Sequence, residues 1–155
     1  MIDSLIALSK SITNVTEYAK RVPEHLRTLK PDAIAFSVKE IIYHLLEVEE
    51  LWHRRIRQLL DGNDNRFQQI DPDALAKEHQ YNSKSYEDGI QQWETARAET
   101  IKIIDAMTEE ERNLVGVHSR YGEMNVHRII EIMTNHDLQH LEQMKRTLAN
   151  VQTIA

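Results

Sequence analysis

Four stretches of this chain repeat their apolar residues every three or four positions, and none repeats them every second one. A period near 3.6 residues marks a helix with one buried face, whereas a period of two marks a strand. The first stretch runs from about Ile2 to Arg21, with Leu5, Leu8, Ile12, Val15 and Ala19 on one face. Pro23 and Pro31 bracket the connection that follows. Ser37 with Glu40 three residues on is a capping-box signature, so a second helix is expected from there to about Leu60, stopped by Asp61-Gly62-Asn63. A third helical region opens near Pro72, breaks around Asn82 and continues to Met107, with Ile90, Trp93, Ala96, Ile101 and Ile104 inward. Thr108 to Glu123, which holds Gly116 and Gly122, reads as a loop after a short acidic helical turn. The fourth helix is expected from about Val126 to Leu148.

Only four glycines and three prolines interrupt the 155 residues, too few for a succession of hairpin turns. The expected fold is therefore all-α: a single four-helix-bundle domain over residues 1–155, long enough to bury a core without disulfides. Cysteine is absent, which excludes a disulfide framework, thiolate-bound zinc and a cysteine nucleophile, and fits a reducing, cytoplasmic setting. The net charge is −6 and the basic residues are scattered among acids, so a nucleic-acid partner is not expected. The opening MIDSLIALSKSITNV lacks the basic start of a signal peptide, and no apolar run approaches the roughly 20 residues of a membrane span.

The histidines carry the chemical information. In the fourth helix Ile129, Met133, His136, His140 and Met144 form one stripe, and positions four apart lie one turn above the other. In the second helix Ile41, His44, Val48 and Leu51 form a similar stripe, so a third imidazole points into the same interior. Eight histidines in this length give about 0.4 pairs at spacing four by chance, so one such pair says little. Three buried imidazoles can be hydrogen-bonded core residues or ligands of one ion, which would satisfy a nitrogen on each.

Two segments extend this reading. SVKEIIYHLLEVEELWHRRI, with His44 followed eight residues later by Trp52, resembles the second helix of the DinB-like (YfiT-like) superfamily. MNVHRIIEIMTNHDLQHLEQMKR resembles its last helix, in which a pair of histidines four apart, here His136 and His140, precedes a glutamine, here Gln143. The resemblance implies a four-helix bundle, often a homodimer, with one divalent metal held by His44, His136 and His140. It implies no DNA binding. Activities in the superfamily include thiol-dependent transferases and isomerases, and hydrolases.

Three neutral imidazoles would leave such an ion its full charge and open coordination positions. It could be Zn, Ni, Fe, Mn or Co, and it could activate water for hydrolysis or a low-molecular-weight thiol for transfer to a small-molecule electrophile. Glu47, about 60° from His44 around the helix, is the candidate to orient an imidazole, complete the coordination or act as catalytic base. Asp137 could pair with a base on a neighbouring helix, and Tyr121 and His118 could form part of a pocket rim. Arg55, three turns along the His44 face, reads as an ordinary surface arginine, with receipt of an anionic substrate as the alternative. Trp52 and Trp93 read as core or interface residues, and His25, His53, His79 and His127 as solvent-exposed. A zincin is disfavoured because Asp137 stands where its glutamate would be, and a di-iron bundle because the lone Glu-x-x-His, Glu50 to His53, faces the wrong way. The rival reading is a non-catalytic bundle that binds small molecules or dimerises, with the metal vestigial or absent. An open pocket beside the histidines separates the two.

Overall fold

A computed structural model describes residues 1–62 and 64–155. Helix α1, Asp3–Lys20, buries Leu5, Leu8, Ile12, Val15 and Ala19, the face that its periodicity marks. Helix α2, Val38–Asp61, starts in the expected capping box: the Ser37 hydroxyl accepts from the Glu40 amide at 3.1 Å, and the Glu40 carboxylate accepts from the Ser37 amide at 2.9 Å. It ends at Gly62, whose φ of +68° is the left-handed turn that glycine adopts without a Cβ penalty. Asn63 of the expected stop signal lies outside the described residues. Every residue from Glu40 to Leu46 is buried, because α2 is covered on several sides.

The third helical region breaks where Asn82 suggests. Helix α3, Pro72–His79, is capped by Asp71 and ends at Gln80 with φ +48°, a 3-10 turn spans Tyr81–Ser83, and α4 runs over Tyr86–Ala106 from a Ser85 cap. Ile90, Trp93 and Ile104 are buried there, and Ala96 and Ile101 pack at the edge of the core. A short acidic helix, α5, Glu109–Arg112, opens in a second capping box, Thr108 with Glu111. The final helix α6, Val126–Gln152, runs a turn past the expected end because Val151 is fully buried.

The expectation of a structureless loop before α6 needs correction. Strands β2, Gly116–His118, and β3, Gly122–Met124, form an antiparallel hairpin, and β1, Arg66–Phe67, joins β2 in parallel. Strands of two or three residues are too short to show alternation. The pairing requires Gly116: a Cβ there would fall 2.4 Å from the Phe67 ring.

α1 packs on α6 and α4, while α2 packs on α4 and α6, so the consecutive helices α1 and α2 sit across a diagonal of the bundle. The long 21–37 connection makes that crossing possible. Two apolar clusters fill the interior, one around Ile41, Leu45 and Trp93, the other around Leu5, Ile56, Ile104 and Ile129. A polar layer separates them on each of the four long helices. Ser11 lies between Leu8 and Ile12, Glu49 between Leu46 and Trp52, Arg97 between Trp93 and Ile104, and Asp137 between Met133 and Met144. Among the described residues no helix is long and apolar enough to cross a membrane.

Candidate metal centre and its pocket

The one-turn spacing of His136 and His140 on α6 brings their rings edge to face, at 77° to each other, and α2 delivers His44 opposite them. Their Nε2 atoms form a triangle with sides of 3.3 Å (His44–His136), 3.1 Å (His44–His140) and 2.9 Å (His136–His140). Imidazole nitrogens bound about 2.0–2.1 Å from one ion stand roughly 3.3 Å apart in a tetrahedral site and about 2.9 Å apart on an octahedral face. The observed sides span that range, so the donor set fits a divalent ion. No other group of three or more His, Asp or Glu side chains converges in this way among the described residues.

The protonation pattern suits the same role. Burial pushes the His44 pKa down to about 3, assisted by the charge of His140. Burial also pushes His136 down to about 2, with His140, His44 and Arg97 adding to the effect. His140 is lowered by burial, against the opposing pull of Gln143 and Asp137. All three are therefore neutral near pH 7, the state that binds a metal. His140 Nδ1 donates to Gln143 Oε1 at 2.6 Å, which leaves the Nε2 lone pair turned toward the cluster.

A cavity of about 460 Å³ opens beside the triangle. Val48, Leu51, Trp52 and Ile132 form its apolar walls, and it is also lined by residues 34–36 and 69–70 of the connections and by Pro72 and Asp73 at the start of α3. Arg55, His118, Arg120 and Tyr121 line it as well, so the expected rim residues His118 and Tyr121 are in place. Arg55 is not a surface residue. It is 4% exposed, its guanidinium 4.5 Å from the Trp52 ring centroid and 5.5 Å from that of Phe67, with one Nη2–H donated to the Gln68 carbonyl. Trp52 is both core and pocket wall, while Trp93 is core alone, its indole N–H donated to Glu49 at 3.2 Å.

Glu47 is placed elsewhere. Its carboxylate accepts from Tyr81 and from His79, on the elements that pack against α2, and it does not line the cavity. Asp137 takes the partner expected of it, a base on a neighbouring helix: Arg97 on α4, at 2.8 and 3.0 Å. Arg97 also donates to Glu49 at 2.7 Å and to the Leu8 carbonyl at 2.9 Å, and Ser11 donates to Asp137, so all four long helices meet in this network. Arg97 does carry a signal in the sequence, because the inward stripe Ile90, Trp93, Thr100, Ile104 runs through it. The pocket residues Gln69 and Arg120 carry none, being on irregular segments.

Of the remaining histidines, His25 and His79 are exposed as expected, His53 and His127 are half-buried, and His25 has no partner among the described residues. His79 is bound to Glu47, His127 lies 2.6 Å from Glu109, and half-buried His53 lies 3.5 Å from Thr100. Glu50 and His53 border a separate groove with Arg54 and Glu99, which leaves no di-iron arrangement in the interior.

Residues 7–144 match the sequence model of the DinB superfamily. The chain superposes on YfiT from Bacillus subtilis, described as a probable metal-dependent hydrolase with an unusual four-helix bundle topology. The TM-score is 0.83 over 96% of this chain and 86% of that one, at 8% sequence identity, so the likeness is one of fold. No curated protein sequence matches this chain.

Proposed function

The chain belongs to the DinB superfamily, and on that footing we propose that it is a metal-dependent hydrolase acting on a small molecule in the cavity beside His44, His136 and His140. One observation carries the reading: three neutral Nε2 donors converge on one point at the edge of an open cavity. A closed structural site surrounds its ion with four protein ligands, and no carboxylate joins this cluster among the described residues.

His44, His136 and His140 would hold the ion, and none contributes charge. When bound, a divalent ion with three neutral ligands supplies Lewis acidity, polarising an electrophilic carbonyl and acidifying the water or thiol that attacks it. Gln143 fixes the orientation of the His140 ring through Nδ1. Val48, Leu51 and Ile132 keep one side of the cavity apolar, which excludes bulk water from part of the substrate and strengthens electrostatic interactions there. Among the described residues no side-chain carboxylate stands with the imidazoles as a proton acceptor, so the acidity of the nucleophile would come from the ion itself. A low-molecular-weight thiol in place of water would turn the same site to group transfer.

The test pairs metal content with turnover. Plasma mass spectrometry of the untagged protein should find about one divalent ion per chain, and near none in His140→Ala. Hydrolysis of a panel of chromogenic esters and amides should stop on chelation and return with the ion, with a parallel screen that adds low-molecular-weight thiols and electrophiles. No stoichiometric metal after reconstitution with Zn, Ni, Fe, Mn or Co would overturn the proposal and leave a binding bundle.

A further inference from the structure

The chain buries two arginines, and they differ in one respect. Arg97 meets the carboxylates of Glu49 and Asp137. Arg55, 4% exposed, meets no carboxylate among the described residues. Its guanidinium rests on the Trp52 and Phe67 rings and gives one N–H to the Gln68 carbonyl, out of five it can donate. A cation withdrawn from water without a counter-charge is costly to the fold, and burial accordingly depresses its pKa to about 10. The small sheet maintains this arrangement, since Phe67 is held against Gly116 by the β1–β2 pairing.

The groups around Arg55 are also donors. His118 is buried, and its Nδ1 accepts from the amides of Arg120 at 2.9 Å and Tyr121 at 3.3 Å. Its proton therefore sits on Nε2, and burial together with Arg55 and Arg120 keeps the ring neutral near pH 7. Arg120 and the Tyr121 hydroxyl add further donors along the same wall, and the one acid of the lining, Asp73, is exposed. Eleven residues of α2 separate Arg55 from His44, which places them roughly 16 Å apart along the axis and about 20° apart around it. The same cavity reaches both.

We infer that the pocket takes an elongated small molecule bearing a carboxylate, with Arg55 and the donors beside it binding the anion and the apolar body lying along Val48, Leu51 and Ile132. This places the reacting group of the substrate at the histidine triangle, and to that extent it rests on the cavity being the substrate site. A planar fork with free N–H groups matches a carboxylate bidentately, and a single buried positive charge balances a monoanion.

Calorimetric titration with phenylhexanoate and with its primary amide tests the inference without a known substrate. In the metal-loaded wild type the acid should bind at least about tenfold tighter than the amide. The preference should persist after the metal is stripped, should disappear in Arg55→Gln, and should survive in part in Arg55→Lys, which keeps the charge but not the fork. An acid that binds no better than the amide, or does not bind at all, overturns the inference. So does a preference that outlasts Arg55→Gln, or one that vanishes with the metal and so belongs to the ion. If either variant fails to fold, the wild-type comparison with and without metal still decides. Loss of metal binding with an intact Arg55-dependent preference would overturn the hydrolase proposal and leave this one standing.

Discussion

His136 and Asp137 are consecutive on α6 and serve two polar clusters, one at the cavity edge and one inside the bundle. Both clusters draw on α2 and α6, and both sit among apolar residues. In the inner one, opposite charges answer each other: Arg97 gives four hydrogen bonds to Glu49, Asp137 and the Leu8 carbonyl, and Glu49 Oε2 is the atom left without a partner. In the outer one, three like groups face each other, and no carboxylate joins them among the described residues. No arrangement of the protons satisfies all three sides of the imidazole triangle, because the one N–H of neutral His140 donates to Gln143. A buried polar cluster whose charges pair within the protein positions helices. One that needs something from outside points to a ligand. Arg55 against Arg97 repeats the contrast at the level of a single side chain.

The largest expected effect falls on the inner cluster. Arg97→Met leaves Glu49 and Asp137 buried and unpaired, and should lower unfolding free energy in urea by about 3–5 kcal/mol. Replacing all three partners with apolar residues (Arg97→Met, Glu49→Leu, Asp137→Leu) should recover most of that loss, because no uncompensated charge remains. A cost below about 1 kcal/mol for the single variant would break the comparison, since the network would then be carrying little of the packing. The outer cluster should respond to its ligand instead. A divalent ion at a hundredfold excess over its Kd should stabilise the protein by about 2.7 kcal/mol. His140→Ala should abolish that increment while costing the metal-free protein only about 1 kcal/mol, as the one satisfied bond it removes is the half-buried one to Gln143. Thermal or urea unfolding with and without the ion measures both.

The two clusters also differ in how plainly the sequence announces them. His44, His136 and His140 lie on helices whose 3.6 period fixes which way each side chain points, and two inward stripes that carry imidazoles meet where their helices are neighbours and the residues share a level, as on α2 and α6. Arg97 lies on an equally regular stripe, yet a charged residue at an inward position reads as surface until its carboxylates are known. Glu47 shows the limit from the other side. Its angle to His44 is right, but its partners His79 and Tyr81 come from elements some thirty residues away. Periodicity along α2 says nothing about what packs over it. The burial of Arg55 depends on Phe67 and on strands of two and three residues, too short to leave a pattern.

A smaller substitution tests whether the triangle is set up by its surroundings. Gln143→Leu removes the acceptor that holds the His140 proton on Nδ1, so the ring can turn or adopt the wrong tautomer. Metal affinity should fall about 10- to 100-fold. Urea unfolding of the metal-free protein should barely change, since Gln143 is half-buried and makes no bond to the inner cluster. Equal losses in metal affinity and metal-free stability would mean that Gln143 acts on the fold and that the contrast between the two regions is overdrawn.

The smallest expected effect probes whether the regions are independent, because α2 carries Glu49 for one and His44 for the other. Ser37→Ala removes the cap that starts this helix and should cost about 1 kcal/mol of global stability. His44 is two turns further on and faces His136 and His140 of α6, while α2 as a whole packs on α4 and α6, so fraying of the first turn should not move it. Metal titration of the folded variant is therefore expected to match the wild type. A drop in affinity in step with the lost stability would show the histidine triangle to be tuned by the end of α2, and the outer cluster would then be no more separable from the scaffold than the inner one.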